Sequence, residues 1–396
     1  MLGPAANHYV LVSRASNFHW REGDFGQLTP LLGDGLLTID GDYHRRARRI
    51  MLPAFHHESI AGAVDTMVDE ARRALDPWRA QQSVDTYHWA RELAMRIAMR
   101  ALLGLDPDDR DSGARAAYHF ERALSFYGTG PFARMHRGPG SAWRRMKASR
   151  RVLDEIVYAE IRRRRAREAD AGDILWLLLA ARDEDGSGFS DEEIRDQLMT
   201  LMFAGHDTST STISFLLYEL ARDPESLRRV WDEQDRVLGG RAPSAAEVAG
   251  GLPELDMALD ETLRLYPPAW IGPRRAVEAF EFGGQHVPAG AYVAYCSWAS
   301  HRLPDVFEDP ESFVPERFSP DRKAALPKGA YVPFGAGSRT CIGMRFGQLE
   351  IKAVATMLLQ RFRPELPAGH SLHVRQMPTL SPDGGLPMVL LEREAS

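Results

Sequence analysis

A cysteine in a glycine-punctuated loop is the first feature of this sequence that could do chemistry. The stretch Phe334-Gly335-Ala336-Gly337-Ser338-Arg339-Thr340-Cys341-Ile342-Gly343 holds three glycines. Glycine permits a backbone path that residues with a Cβ resist, so Cys341 is presented on a fixed loop ahead of a helix. Arg339 brings a positive charge two residues earlier. A lone thiolate offers too few donors for zinc, which takes about four nitrogen or sulfur ligands. It suffices for a haem iron with one axial ligand from the protein. The competing reading is a free buried cysteine near a turn, where it acts as a small hydrophobe.

A second cluster, Ala204-Gly205-His206-Asp207-Thr208-Ser209, sits inside an apolar helical pattern. There Gly costs about 1 kcal/mol against Ala, and Asp and Thr compete for backbone hydrogen bonds. A run of locally unfavourable choices marks function. Gly205 beside a loosened turn makes room for a diatomic ligand, a hydroxyl could donate to bound oxygen, and a carboxylate could relay protons from solvent. The alternative is a kinked core helix with a self-satisfied threonine. Glu261 and Arg264, at i and i+3, share a helix face, a spacing that recurs at Glu70/Arg73, Glu160/Arg163, Glu192/Arg195, Glu225/Arg228 and Glu233/Arg236. Context separates them: their helix is apolar and ends in Leu265-Tyr266-Pro267-Pro268, and a buried pair there must be well hydrogen-bonded. His44 and Arg48 share a face of a basic helix, and Arg suits carboxylates through its bidentate fork; a solvated basic surface is the alternative. Arg45, Arg46 and Arg49 on the other faces could form a patch for an acidic electron donor.

The elements that must position these residues are mostly helical. Helical patterns cover 42–52, 58–78, 84–104 and 142–170, the last with Arg162-Arg163-Arg164-Arg165 as a solvated face. A helix opens at Asp191-Glu192-Glu193, with acids suited to its first turn, and runs to Leu220. Asp223-Pro224 starts the next in the expected order of cap and proline, and another ends at Leu265. Tyr9–Val12 reads as a short strand; 110–114, 128–141 and 239–251 read as loops. Phe280–Gly284 signals a hairpin, residues 291–298 a strand holding Cys296, and 348–361 a helix. There is no internal repeat and no linker, so the 396 residues are expected to form a single domain, 1–396. At 44% hydrophobic, 26% charged and net −6, the composition is that of a globular protein with nothing overall to favour nucleic acid. Two cysteines make no disulfide framework, which fits a reducing compartment. No apolar run approaches the roughly 18 residues of a membrane span, and the first residues lack the form of a signal peptide. The expected location is cytoplasmic.

The order Phe-x-x-Gly-x-Arg-x-Cys-x-Gly resembles the haem-ligand signature of the cytochrome P450 family. Ala-Gly-x-Asp-Thr-Ser is similar to that family's oxygen-activation motif, and Glu261-x-x-Arg264 to its structural pair. The resemblance covers nearly the whole chain, with motifs in the family's order. It implies a mainly α fold with a smaller β region and a haem b whose iron takes Cys341 as axial ligand. Phe334, Gly343 and Ala204 would line the cofactor, while His44, Arg48, Arg274 and Arg339 would anchor its propionates. Gly205, Asp207 and Thr208 would serve oxygen activation, the last two as an acid–alcohol pair delivering protons. Arg317 would join Glu261 and Arg264 in holding the loop under the haem. The loop around Phe25–Leu37, Phe203, Ala204, Ala269, Trp270, Ile271 and Pro378-Thr379-Leu380 would line a substrate pocket. The activity implied is a monooxygenase, an oxidoreductase using O2 and two electrons to hydroxylate or epoxidise a hydrophobic molecule such as a terpenoid, steroid, fatty acid or polyketide. Gly335-Ala336-Gly337 opens onto the cysteine loop and not a strand–turn–helix, so it is no dinucleotide fingerprint. Electrons are therefore expected from a separate donor, a ferredoxin with its reductase. The rivals are a peroxide-driven peroxygenase and a non-catalytic haem-binding or ligand-sensing protein. The chain departs from the family at its start, where a further helix and the opening strands normally precede Tyr9–Val12.

Overall fold

The structure, a computed structural model, describes residues 1–166 and 172–393. It is mainly helical, with a smaller strand content. The chain groups into two compact units of interleaved segments: 1–19, 64–94 and 207–396 form one, 20–63 and 95–206 the other.

The larger unit owes its sheets to β-branched and aromatic alternation. Phe18–His19 pairs antiparallel with Ile271–Ala276, which pairs antiparallel with Tyr292–Cys296 in a register opposing Arg274 to Val293. Phe18, Phe280, Val293 and Tyr295 are buried on this sheet, with Tyr9 and Phe282 packed against them. Gly283 and Gly284, both at positive φ, close the hairpin of Phe280–Phe282 and Gln285–Val287, the backbone that a two-residue hairpin loop demands. A second sheet orders Gln82–Asp85, Pro387–Glu392 and Phe362–Glu365. Helices Pro224–Leu238, Pro253–Leu265 and Met344–Leu359 bury apolar faces in this unit, and Asp223 caps the first by accepting from Glu225 and Ser226 N–H groups.

The smaller unit holds helices Gly41–Met51, Gly113–Leu124, Ala142–Arg165 and Ile174–Ala180, with Phe120, Met146, Leu153 and Ile161 buried among them. The long helix Asp191–Arg222 begins here and ends in the larger unit.

Several expectations need correction. Tyr9–Val12 is no strand: Pro4 starts a helix at Pro4–His8, and the chain continues into a wider helical turn, Tyr9–Ser13. Residues 239–251 contain a helix, Ala245–Gly250, started by a reciprocal cap in which Ser244 and Glu247 bond each other's backbone N–H. Residues 128–141 include a short helix at Pro131–Met135, and the helix after the cysteine begins at Met344, not near 348. The strand of 291–298 stops at Cys296. The arginine run is not wholly solvated, because buried Arg164 is shared between Glu160 and Asp173. The expected continuation of that helix over 167–170 lies outside the described residues.

Candidate active site

Cys341 lies just before the helix Met344–Leu359, whose first residue is preceded by Gly343 as cap. The positive end of a helix favours an anion and so the thiolate form of a nearby cysteine. The loop folds on itself through Cys341 N–H to Phe334 O (2.9 Å), Gly335 N–H to Val332 O (3.1 Å) and Thr340 N–H to Gly337 O (3.1 Å). Gly335 and Gly337 both take positive φ. At Gly337 a Cβ would stand 2.3 Å from the carbonyl oxygen of Leu11, so only glycine fits there. Cys341 is exposed, and Phe334 and Arg339 are half-buried.

Beneath the loop lies a fully buried polar network. Arg264 and Glu261, both 0% exposed, form a two-pronged pair at 2.7 and 2.8 Å. The remaining Arg264 donors reach the carbonyl oxygens of His301, Pro310 and Ser312, and Glu261 also accepts from Val314 N–H and Arg317 Nε. A charge taken out of water is tolerable only when so thoroughly bonded. The sequence reading missed His301. Its Nδ1 lies 3.2 Å from Arg264 O, and its Nε2 accepts from Val332 N–H at 2.9 Å. Those partners require the neutral ring with its proton on Nδ1, and burial pushes its pKa down to about 3. His301 thus ties the Glu261–Arg264 pair to the chain that becomes the cysteine loop. Tyr331 next to it donates to the Asp260 carboxylate (2.9 Å), and burial raises its phenol well above the ordinary range.

The long helix is buried from Ile194 to Leu220 except at Phe203, Ala204, Gly205 and Thr208, which are half-exposed. Ala204 and Thr208, one turn apart, mark a single open stripe on an otherwise enclosed rod. The polar run is tolerated because Ser211, Thr212 and Ser214 donate to the carbonyls of Asp207, Thr208 and Thr210 four residues back. Asp207 pairs with Arg91 of helix Thr86–Leu103, at 2.5 Å between Arg91 Nη1 and Asp207 Oδ1. Nothing in the sequence pointed to that partner, 116 residues away. Ser209 donates to Glu350 of the cysteine helix at 2.5 Å, and burial raises the Glu350 carboxyl to about 8. His206, in the smaller unit, pairs with Glu121 at 3.1 Å.

The other expected residues divide by unit. Arg274, 1% exposed, brings a cation into the sheet, with Nη1 on Pro273 O and its guanidinium 5.4 Å from the Tyr295 ring centre. Ala269, Trp270, Ile271 and Thr379 come together, since Trp270 Nε1 donates to Gln376 O and Leu380 N–H to Pro268 O. In the smaller unit His44 is buried with Ala47, Ile50 and Met51, so its helix face is not simply solvated. Arg45, Arg46 and Arg49 do not form a free basic patch: they pair with Asp42, Glu193 and Asp183. The donor set fits a haem. Cys341 supplies one exposed thiol at a helix start, and a Cβ built at Gly205, Gly343 or Gly347 would meet no atom within 4 Å, so a flat group can approach those backbones. Among the described residues no group of three or more His, Cys, Asp or Glu could hold a bare metal ion. Nor is any described helix long and apolar enough to cross a membrane.

Known proteins place these features in one family. The sequence model for "Cytochrome P450" matches residues 1–384. The chain is 36% identical over 347 residues to a cyclooctat-9-en-7-ol 5-monooxygenase of Streptomyces melanosporofaciens, covering 86% of this chain and 75% of the relative. It is 32% identical to a sterol 14alpha-demethylase of Mycolicibacterium vanbaalenii, covering 92% and 81%. Among solved structures, a cyanobacterial cytochrome P450 with retinoic acid bound superposes with a TM-score of 0.89 at 29% identity, over 99% of this chain and 88% of that one. With the family model matching nearly the whole chain and relatives above 30% identity, this chain belongs to the cytochrome P450 family of haem-thiolate oxidoreductases.

Proposed function

We infer that the chain is a monooxygenase placing one oxygen atom of O2 into a hydrophobic organic substrate, by hydroxylation or epoxidation, with electrons from a ferredoxin and its reductase in the cytoplasm. The observation that carries this is the open stripe Phe203, Ala204, Gly205 and Thr208 on a helix otherwise buried from Ile194 to Leu220. Haem, when bound, supplies the activation of O2 and its insertion into the substrate. The chain's own residues do the rest. Cys341 holds the iron through its thiolate, kept anionic by the helix start behind it. His44, Arg48, Arg274 and Arg339 hold the propionates, where Arg forks suit carboxylates. Thr208 offers a hydroxyl on the open stripe, and Asp207, held by Arg91, moves protons toward it. Glu261, Arg264 and Arg317 keep the loop in shape and do not react.

Ala269, Trp270, Ile271, Phe203 and Thr379 present mostly apolar surface to the substrate. A chiefly hydrocarbon substrate is supported by the relatives, whose names specify an unsaturated alcohol, a sterol and retinoic acid. The decisive experiment is a reduced, carbon-monoxide difference spectrum, then turnover of apolar compounds with NAD(P)H and surrogate donor proteins, against peroxide alone. Cys341→Ser should abolish the thiolate spectrum and product formation. Product from peroxide alone, and none with donors, would replace this reading with a peroxygenase; an unaltered Cys341→Ser spectrum would end it.

A further inference from the structure

Arg46 and Arg49 spend their donors on one loop, residues 183–193, to which the reaction as described gives no part. Arg49 makes a two-pronged bond to Asp183, Nε to Oδ1 at 2.6 Å and Nη2 to Oδ2 at 3.0 Å. Arg46 donates to Glu193 Oε1 (2.9 Å) and to Gly188 O (3.1 Å), and its guanidinium stands 5.9 Å from the centre of the Phe189 ring. Its Nε also lies 3.8 Å from Asp183 Oδ2. Tyr43 OH donates to Glu193 Oε1 at 3.3 Å. Positions 43, 46 and 49, three apart and so on neighbouring rows, fasten the helix Gly41–Met51 to this loop.

The loop has its shape from its own bonds. Asp183 N–H donates to Ser187 O (2.7 Å), Gly186 N–H to Asp183 O (2.9 Å) and Ser187 N–H to Asp185 Oδ1 (2.8 Å). Glu193 is fixed by a reciprocal cap, accepting from Ser190 N–H while Ser190 Oγ accepts from Glu193 N–H. The Asp183 side chain is 5% exposed and that of Glu193 21%. Both carboxylates are therefore held in place, and the arginines are held by them.

The direction of this grip is what matters. At about 100° per residue, His44 and Arg48 lie about 40° apart on their helix. The midpoint of Arg46 and Arg49 falls about 150° round the helix from theirs. Ion pairs near a surface contribute little to stability. What these pairs do fix is the rotation and depth of the helix, and with them the positions of His44 and Arg48.

We propose that Asp183 and Glu193 are positioning residues for the haem propionates: from the far side of the helix Gly41–Met51 they set where His44 and Arg48 stand, and so how firmly the cofactor is kept. The proposal rests on the reading of His44 and Arg48 as propionate holders. Glu193 also lies in the first turn of the long helix Asp191–Arg222. One carboxylate thus ties the start of the helix that carries the open stripe to the helix that carries His44 and Arg48.

The test is the rate of haem release from the full-length holoprotein to excess apomyoglobin, followed by absorption. Arg48→Gln, which removes a direct holder, should release haem faster than the parent. Asp183→Asn with Glu193→Gln should speed release about tenfold, the effect common for groups that orient a ligand from behind. Should that variant purify without haem, Asp183→Asn alone carries the same comparison. Exchanging the charges, Arg49→Asp with Asp183→Arg, should bring the rate back toward the parent's. The three changes Arg48→Gln, Asp183→Asn and Glu193→Gln together should release haem much more slowly than the product of the separate effects, because the acids act through Arg48. A general weakening of the fold would multiply the effects, and that result would overturn the proposal. So would release at the parent rate from the variant lacking both acids while Arg48→Gln is fast, which leaves the propionate reading standing. A parent-like rate from Arg48→Gln would remove the propionate reading itself, and the proposal with it.

Discussion

The cysteine loop and the polar turn of the long helix solve opposite problems. The loop rests on groups that are fully buried and fully bonded: Arg264 spends its donors on Glu261 and three carbonyls, and His301 uses both ring nitrogens. In the turn, Phe203, Ala204, Gly205 and Thr208 are half-buried in a helix otherwise buried from Ile194 to Leu220, and their neighbours bond back to their own helix. One region is over-determined, which suits a ligand that must not move. The other leaves open surface, which suits a face where small molecules come and go.

The contrast is broken most severely at Arg264. Arg264→Ala leaves buried Glu261 with only the longer cation contact to Arg317, a loss of about 3–5 kcal/mol. Insoluble or haem-free protein is expected; a soluble, fully haem-loaded variant would show the loop to be held otherwise. His301→Ala strands the Val332 N–H and should cost about 1–3 kcal/mol in chemical denaturation. It should also flatten the acid limb of stability. With a folded pKa of about 3 against the ordinary 6.5, the unfolded chain takes up the proton first. Parent stability therefore falls as pH drops from 6.5 toward 3, and the variant should lack that part of the slope.

Thr208→Ala, on the open face, should stay within about 0.5 kcal/mol of the parent in stability and keep its haem. Product per electron should drop while peroxide rises; an unchanged yield would remove the hydroxyl from proton delivery. At Glu350, where the two regions share a hydrogen bond, the effect shows only as a dependence on pH. Its folded pKa of about 8, against the ordinary 4.5, means the folded chain keeps a proton that the unfolded chain has lost. Stability should decline as pH rises from 4.5 to 8. Glu350→Gln should remove that decline, read as a variant-minus-parent difference in Tm that grows with pH.

What could be read from the sequence followed from local chemistry. Asp223-Pro224 and Gly283-Gly284 behave as written because cap and turn geometry depend on a few adjacent residues. The cap at Ser244 and Glu247 was equally legible as Ser-x-x-Glu, yet 239–251, with a glycine pair at each end, reads as a loop. Tyr9–Val12 misled through its β-branched alternation, where a helix begun at Pro4 prevailed. His301 and Arg91 were illegible for a different reason. Their partners, Val332 and Asp207, meet them only through the tertiary fold, and a lone histidine or arginine carries no local signal of that.

Asn7 Nδ2 donates to Gly329 O across 322 residues of chain, and Leu11 leaves only glycine room at 337. Contacts this distant in sequence are slow to find one another, because the intervening loop must close before they reward it. On the ribosome the opening residues must wait until the segment carrying Gly329 and Gly337 has been made. The thiol's setting consequently cannot be complete before both ends of that long loop have met, and cofactor capture must follow their closure.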